Sequence, residues 1–216
     1  MNEHLKRWCP IGVALLAAAC SVTVYNRVPE QITIHWDLAG NPNGWMPRSV
    51  GAFITPVILL FAWGMLRVAP TIDPRRENYE QFGAAYDIVV AALLIPVFVM
   101  HIVLLAIGLG YPVPVTRFAP AITGAMFVVI GNVMPRVRSN FTFGIRTPWT
   151  LTNDRSWART QRRAGYTMTG AGVVMLLAAA LAPTRALEVV IFTAVAAALV
   201  APAVYSYLTF RRENRT

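Results

Sequence analysis

The sequence predicts an all-α polytopic membrane protein, with six transmembrane helices and both termini cytoplasmic. A small ordered extracytoplasmic loop, a β-hairpin being one form of it, joins spans one and two. Three observations carry this. The 216 residues are 56% hydrophobic and 13% charged, where a soluble domain averages about 25% charged, and the mean hydropathy is +0.51. Apolar runs of spanning length recur along the chain, separated by short polar segments. Arginine and lysine are distributed asymmetrically. In the six-span arrangement only Arg27, Arg48, Arg117 and Arg185 of the 19 fall outside, leaving 15 on the cytoplasmic side, as the positive-inside rule requires. The net charge of +9 therefore belongs to loops between spans and gives no reason to expect direct nucleic-acid binding. The chain reads as one membrane domain, 1–216, of a bacterial plasma membrane.

Span one covers about 8–25. No small-x-small cleavage site closes it, so it reads as a retained span and not a cleaved signal. Cys9 and Cys20 both lie in it, roughly 16 Å apart along a helix, too far for a disulfide. The extracytoplasmic loop, 26–49, follows. Ile32, Ile34, Trp36 and Leu38 alternate there with Gln31, Thr33, His35 and Asp37, the period of a half-buried strand. The run Ala39-Gly40-Asn41-Pro42-Asn43-Gly44 then reads as a turn. His35, Trp36, Asp37, Asn41 and Asn43 are the candidate recognition surface. His35 and Asp37 alone are too few for a metal site, and the Asp/Asn spacing does not match a calcium loop, so no metal is expected.

Span two, about 50–68, leads into a cytoplasmic loop at 69–84 containing Asp73, Arg75, Glu77, Asn78 and Tyr79. Span three, about 85–109, contains Asp87 near its inner end and His101 in its outer half. An ionisable residue in a span is a functional candidate. About 21 Å separates these two along the helix, so they are not a pair, and a neutral His101 hydrogen-bonded to a neighbouring helix is the structural alternative. Span four, about 118–134, ends at Asn132. Spans five and six, about 166–181 and 187–208, close the chain.

Between spans four and five lies the segment around which the rest is organised, the cytoplasmic loop 135–165. Gly144 can take a positive φ, and Pro148 pushes Thr147 towards extended geometry. Thr152 or Asn153 can cap a helix whose first turn holds Asp154. That helix would run to about Arg163, with Trp157, Gln161 and Ala164 on one face and Arg155, Arg159, Arg162 and Arg163 elsewhere. Two readings stand. A helix with one Trp and four arginines before an apolar span is an interfacial anchor on anionic lipid. Alternatively, loops 71–82 and 132–163 fold together into one site. Arg146, in a fixed turn, would then pair with Asp73 or Glu77. Asn78, Tyr79, Asn132 and Asn140 would satisfy the remaining polar groups, and Trp149 would cap the cluster.

The placed motifs resemble the SdpI family of bacterial membrane proteins. The resemblance lies in Val28–Trp45 of the first loop, in Asp73-Pro74-Arg75-Arg76-Glu77-Asn78-Tyr79, and in His101. It is strongest in Gly131-Asn132, Met134-Pro135, Asn140, the run from Gly144 to Leu151, Trp157, Thr160 and Arg162. Gln161 stands where many members have His. The resemblance implies immunity to a secreted, membrane-active peptide toxin. It also implies a signalling role, in which a cytoplasmic ArsR-type repressor is held at the membrane. The alternative is a small-solute transporter or a membrane enzyme with a polar site at the cytoplasmic face. No nucleophile–base pair, phosphate loop or zinc spacing supports an enzyme, and no cofactor is expected.

Overall fold

The computed structural model describes residues 3–37 and 39–213, with side chains described except at 3–10, 184, 185 and 213. Leu38, Arg215 and the side chains of Lys6, Arg7, Cys9 and Arg185, on which parts of the sequence reading rest, lie outside the described residues. The chain is mostly helical. Its elements are α1 (Glu3–Val24), β1 (Gln31–Trp36), β2 (Pro42–Pro47), α2 (Arg48–Gly51), α3 (Ile54–Ile72), α4 (Tyr79–Gly108), α5 (Val115–Val133), α6 (Pro148–Thr152), α7 (Asp154–Leu181) and α8 (Thr184–Glu213).

Among the described residues five helical segments are long and apolar enough to cross a membrane: Arg48–Ile72, Arg76–Gly108, Val115–Arg136, Asp154–Leu181 and Ala186–Arg212. In α1 the shorter apolar stretch Ile11–Val24 is described. Large apolar side chains such as Phe61, Ile72, Leu181 and Val189 lie on the outside, which suits a lipid-facing surface and not a soluble one.

The loop between α1 and α3 is a two-stranded antiparallel hairpin, with Ile32 opposite Met46 and Thr33 opposite Trp45. Ile32 is buried, Ile34 and Trp36 are half-buried, and His35 is exposed. Ile32 joins Val28, Ala52, Leu104 and Leu105 in a small core that seats the hairpin on the ends of α1 and α4. The expected alternation thus has its physical basis in one face packed on helix ends and one face free.

Two differences from the expected spans concern element ends. Span five and the short arginine helix are one continuous helix, α7. Gly165, which lies between the two expected segments, is a packing position. A Cβ there would lie 2.8 Å from the carbonyl oxygen of Gly131 on α5. Seven residues on in α7 and seven back in α5, a Cβ on Gly172 would lie 2.5 Å from the carbonyl oxygen of Gly124. The two glycine pairs let α5 and α7 approach backbone to backbone, as small residues do in membrane bundles. Helix α4 begins at Tyr79, earlier than expected, with a non-helical residue at Phe82 (φ −133°, ψ 18°). Its first turn packs inward through a cluster of Tyr79, Phe82 and Tyr86.

Candidate functional site

At the end of the bundle away from the hairpin, the chain leaves α3 at Asp73, which is extended (φ −68°, ψ 129°) because Pro74 follows it. Asp73 is 5% exposed. Its Oδ1 accepts from the Arg75 backbone N–H at 2.8 Å. Its Oδ2 accepts from the Phe141 N–H at 2.8 Å, the Tyr79 hydroxyl at 3.0 Å and the Thr142 hydroxyl at 3.1 Å. Burial pushes the carboxyl upward, but the N–H groups of Arg75 and Phe141 and the hydroxyls of Tyr79 and Thr142 outweigh it and hold the group below the ordinary Asp value. The carboxylate is stabilised by neutral donors, two of them from the distant 135–165 loop.

Asn140 organises that loop. It is fully buried. Its Oδ1 accepts from the backbone N–H groups of Thr142 at 2.9 Å and Phe143 at 2.7 Å, and its Nδ2 donates to the Arg138 carbonyl at 2.8 Å. The chain is thereby folded round one side chain, as Asn does in turns. Asn78 ties the two loops again, donating to the Ser139 carbonyl at 2.6 Å. Arg75 adds a further tie. Its guanidinium donates to the Ser139 hydroxyl and the Leu151 carbonyl, lies 3.5 Å from Asp154, and sits over the Phe141 ring at 5.5 Å. A planar fork with several fixed acceptors is a role lysine cannot fill.

The structure therefore brings together Asp73, Arg75, Asn78, Tyr79 and Asn140. It does not bring Arg146, Glu77 or Asn132 to them. Arg146 is exposed and donates to the Phe141 carbonyl, and among the described residues it forms no ion pair with Asp73 or Glu77, which corrects the expected pairing. Thr147 next to it is extended, and successive side chains of an extended chain point to opposite sides. Ile145 packs inward, so Arg146 points out. Asp73 is in any case filled by neutral donors. Glu77 is exposed. Asn132 is exposed as well, because its neighbour Gly131 takes the face turned to α7.

Trp149 does not cap the cluster. Its Nε1–H donates to the Ser206 hydroxyl at 2.5 Å, and its ring lies against Tyr207 and Phe210, so it docks the loop on α8. Thr147 N-caps α6 in a capping box with Thr150, and Asn153 N-caps α7, accepting from the N–H groups of Arg155 and Ser156. Trp157 is buried and donates to the Val137 carbonyl at 2.8 Å. Its ring packs over Gly144, whose φ is +117° and where a Cβ would come within 3.1 Å of it. Gln161, fully buried, grips the backbone of one residue. Its Oε1 accepts from the Ile145 N–H at 3.0 Å and its Nε2 donates to the Ile145 carbonyl at 3.1 Å. A neutral imidazole also has one donor and one acceptor, but they point away from each other and could not close this ring.

Sequence reasoning missed Ser139 and Thr142 as participants, and it missed the grip of Gln161. Short hydroxyl residues beside an Asn-centred turn were the available signal. Outside the buried knot, Arg136, Arg138, Arg146, Arg155, Arg162 and Arg163 are exposed, and they give this end a basic face.

At the hairpin end, His35 Nδ1 lies 2.5 Å from Asn43 Oδ1. Asp37 accepts from the Asn41 backbone N–H at 2.7 Å and its side chain at 3.1 Å. The Asn41 backbone bond, with its side chain next, holds the Asp37 carboxyl below its ordinary value. Trp36 is half-buried beside them. Within the bundle, Asp87 lies 3.9 Å from Arg67 of α3. His101 is 1% exposed and bonds α1 at Ser21 and the Ala17 carbonyl. Among the described residues no three of His, Cys, Asp and Glu gather where a metal could be held.

The family model described as the SdpI/YfhL protein family matches residues 136–206, the stretch that holds Asn140, Trp157, Gln161 and Ser206. A domain of unknown function, DUF1648, matches residues 12–60, which hold the hairpin. The chain is 26% identical to the immunity protein SdpI of Bacillus subtilis over 171 residues, covering 79% of each chain. It is 25% identical over 85 residues to the uncharacterized membrane protein YbgB of the same organism, covering 39% of this chain and 82% of that one. No solved structure matches. The matched stretches include the Asn140–Gln161 loop and the hairpin just described, and with the five long apolar helices they make the chain a multi-pass membrane protein similar to the SdpI/YfhL family over residues 136–206 and to the immunity protein SdpI over most of its length.

Proposed function

We propose that this protein confers immunity to a membrane-active peptide toxin from the bacterial plasma membrane. In this reading α1 is a sixth span, both termini are cytoplasmic, and the hairpin faces outward. Toxin meets the hairpin end. The knot at the other end keeps the two cytoplasmic loops in one arrangement and presents the basic face to a cytoplasmic partner, an ArsR-type repressor being the kind that the resemblance suggests. The role is non-enzymatic. The observation that carries the reading is the construction of the knot. A buried carboxylate and a multidentate arginine join two loops, which is more order than a lipid anchor needs and is what a relay between two ends requires.

The test is a killing assay on cells with and without the gene, challenged with secreted peptides of related bacteria, together with two variants. Arg75→Lys should lose protection at normal protein level, and Arg146→Lys should keep it. Equal protection by both variants refutes the role of the knot. No protection by the wild-type gene against any peptide refutes the immunity reading.

A further inference from the structure

We propose that the cleft beneath the hairpin, with His101 in its inner wall, binds a short apolar peptide segment bearing N–H donors and a positive charge. The inference rests on the immunity reading and gives it a site. Two spaces meet under β1. The inner one, about 360 Å³, is walled by Thr55, Val97, His101, Ile122 and Thr123. The outer one, about 300 Å³, reaches His35, Asp37, Thr116 and Glu188. Ile34, Trp36, Met100 and Ala119 line both, so the two adjoin along these side chains. Each volume falls in the range of ~300–1,000 Å³ typical of small-ligand clefts, too small for a whole helix.

Hydrogen bonding sets the polarity of the inner end. The one proton of Ser21 goes to a carbonyl, with Ala52 O at 2.5 Å and Ala17 O at 3.1 Å. His101 Nε2 lies 3.0 Å from Ser21 Oγ and 3.2 Å from the Ala17 carbonyl. A carbonyl only accepts, and the hydroxyl proton is already committed, so Nε2 carries the ring proton. Nδ1 is then a lone-pair acceptor. It is buried and has no hydrogen-bond partner among the described residues, a costly state that a donor relieves. The outer end is acidic. Asp37 and Glu188 line it, while Arg117 is turned away to the Ala179 and Ala182 carbonyls. The cleft thus offers acceptors and negative charge at its polar points, and apolar wall between them. A phospholipid brings an anionic phosphate to the carboxylates and an acyl chain with no donor for Nδ1. A cationic apolar peptide suits both ends.

The chain has three histidines, so the protein in lipid nanodiscs, labelled with ¹³C at histidine Cε1, gives three NMR signals. His4→Gln and His35→Gln assign them, and His4, near the start of the chain, is the reference. The probes are acetyl-Lys-Leu-Leu-Leu-amide, its glutamate analogue and dodecylammonium. The lysine peptide should shift His101 and His35 saturably and leave His4 in place. The glutamate peptide should bind at least tenfold more weakly. Asp37→Asn with Glu188→Gln, both at the outer end, should erase that preference. An unmoved His101 overturns the proposal. So does an equal drift of all three signals, which is membrane partition, or a response to dodecylammonium but not to the peptide. Cells protected from toxin while His101 ignores the peptide would refute the cleft and leave the immunity reading intact. A saturable His101 shift in a protein that gives no protection would refute the immunity reading and keep the cleft.

Discussion

Replacing Asp73 by Asn tests whether the knot is held by a charge. The carboxylate accepts four hydrogen bonds, two from backbone N–H groups and two from hydroxyls. An Asn amide must put its oxygen towards the three donors at Oδ2, which leaves its NH2 facing the Arg75 N–H. Hydrogen bonds to a charged group are worth about 1.5–3 kcal/mol against about 0.5–1.5 for neutral ones, and a buried unsatisfied donor costs about 1–3. The Tyr79 and Thr142 hydroxyls can turn, so only the two backbone bonds count in full. Weakening one of them and losing the other amounts to about 2–4 kcal/mol. Asp154→Asn is the control. Its side chain is 84% exposed and 3.5 Å from Arg75, and an exposed pair is worth at most about 1 kcal/mol. The assay is thermal unfolding in detergent, followed by hydrogen exchange at Phe141. The pH dependence has a defined sign. The folded-state pKa of Asp73 lies below its ordinary value, so its contribution is fully present above that ordinary value and is lost as pH falls through the folded one. Asp73→Asn should flatten this acid limb. Equal melting of Asp73→Asn, Asp154→Asn and wild type, with the acid limb intact, would refute the argument that Asp73 holds the loops together.

Gly172→Ala should destabilise by about 1–3 kcal/mol, because its Cβ would meet the Gly124 carbonyl at 2.5 Å and the Val128 N at 2.8 Å. Gly170→Ala, with nothing within 4 Å, should be neutral or stabilising. Thermal melts of the pair decide it. Gln161→His can keep only one of the two Ile145 bonds. The Ile145 carbonyl also accepts from the Thr150 hydroxyl at 3.1 Å, so the loss falls on the Ile145 N–H, which a ring donating to the carbonyl leaves unpaired at about 1–3 kcal/mol. Amide exchange at Ile145 should accelerate; unchanged exchange would mean that Gln161 does not hold that N–H. Single cysteines at Asn43 and Asn153, in a chain with Cys9 and Cys20 replaced, should react with an impermeant thiol reagent from opposite sides of the membrane, and labelling of both from one side would contradict the proposed topology.

Hydropathy was enough to place the five long apolar helices, because burial in lipid is set by composition along a single segment and needs no partner. The hairpin was legible for the same reason. Period-two alternation from Gln31 to Trp36 is a local signal, as is the turn at Ala39-Gly40, although Pro42, Asn43 and Gly44, expected in that turn, begin β2. Caps were local too, so Thr152 and Asn153 could be named as the two candidates, and the structure uses Asn153. The partner of each polar group was not. Arg75 and Arg146 are both arginines in turn-rich loops, and nothing along the chain says which one points inward. That was decided by Ile145 packing into the core, which sends Arg146 outward, and by the Ser139 and Leu151 acceptors that come within reach of Arg75 only when the two loops meet. The packing role of Gly165 was hidden for the same reason, since it lies in how closely α5 approaches. Segment identity follows from local composition and period, whereas the pairing of buried polar groups follows from which backbones come to lie side by side, and that is set by the packed bundle as a whole.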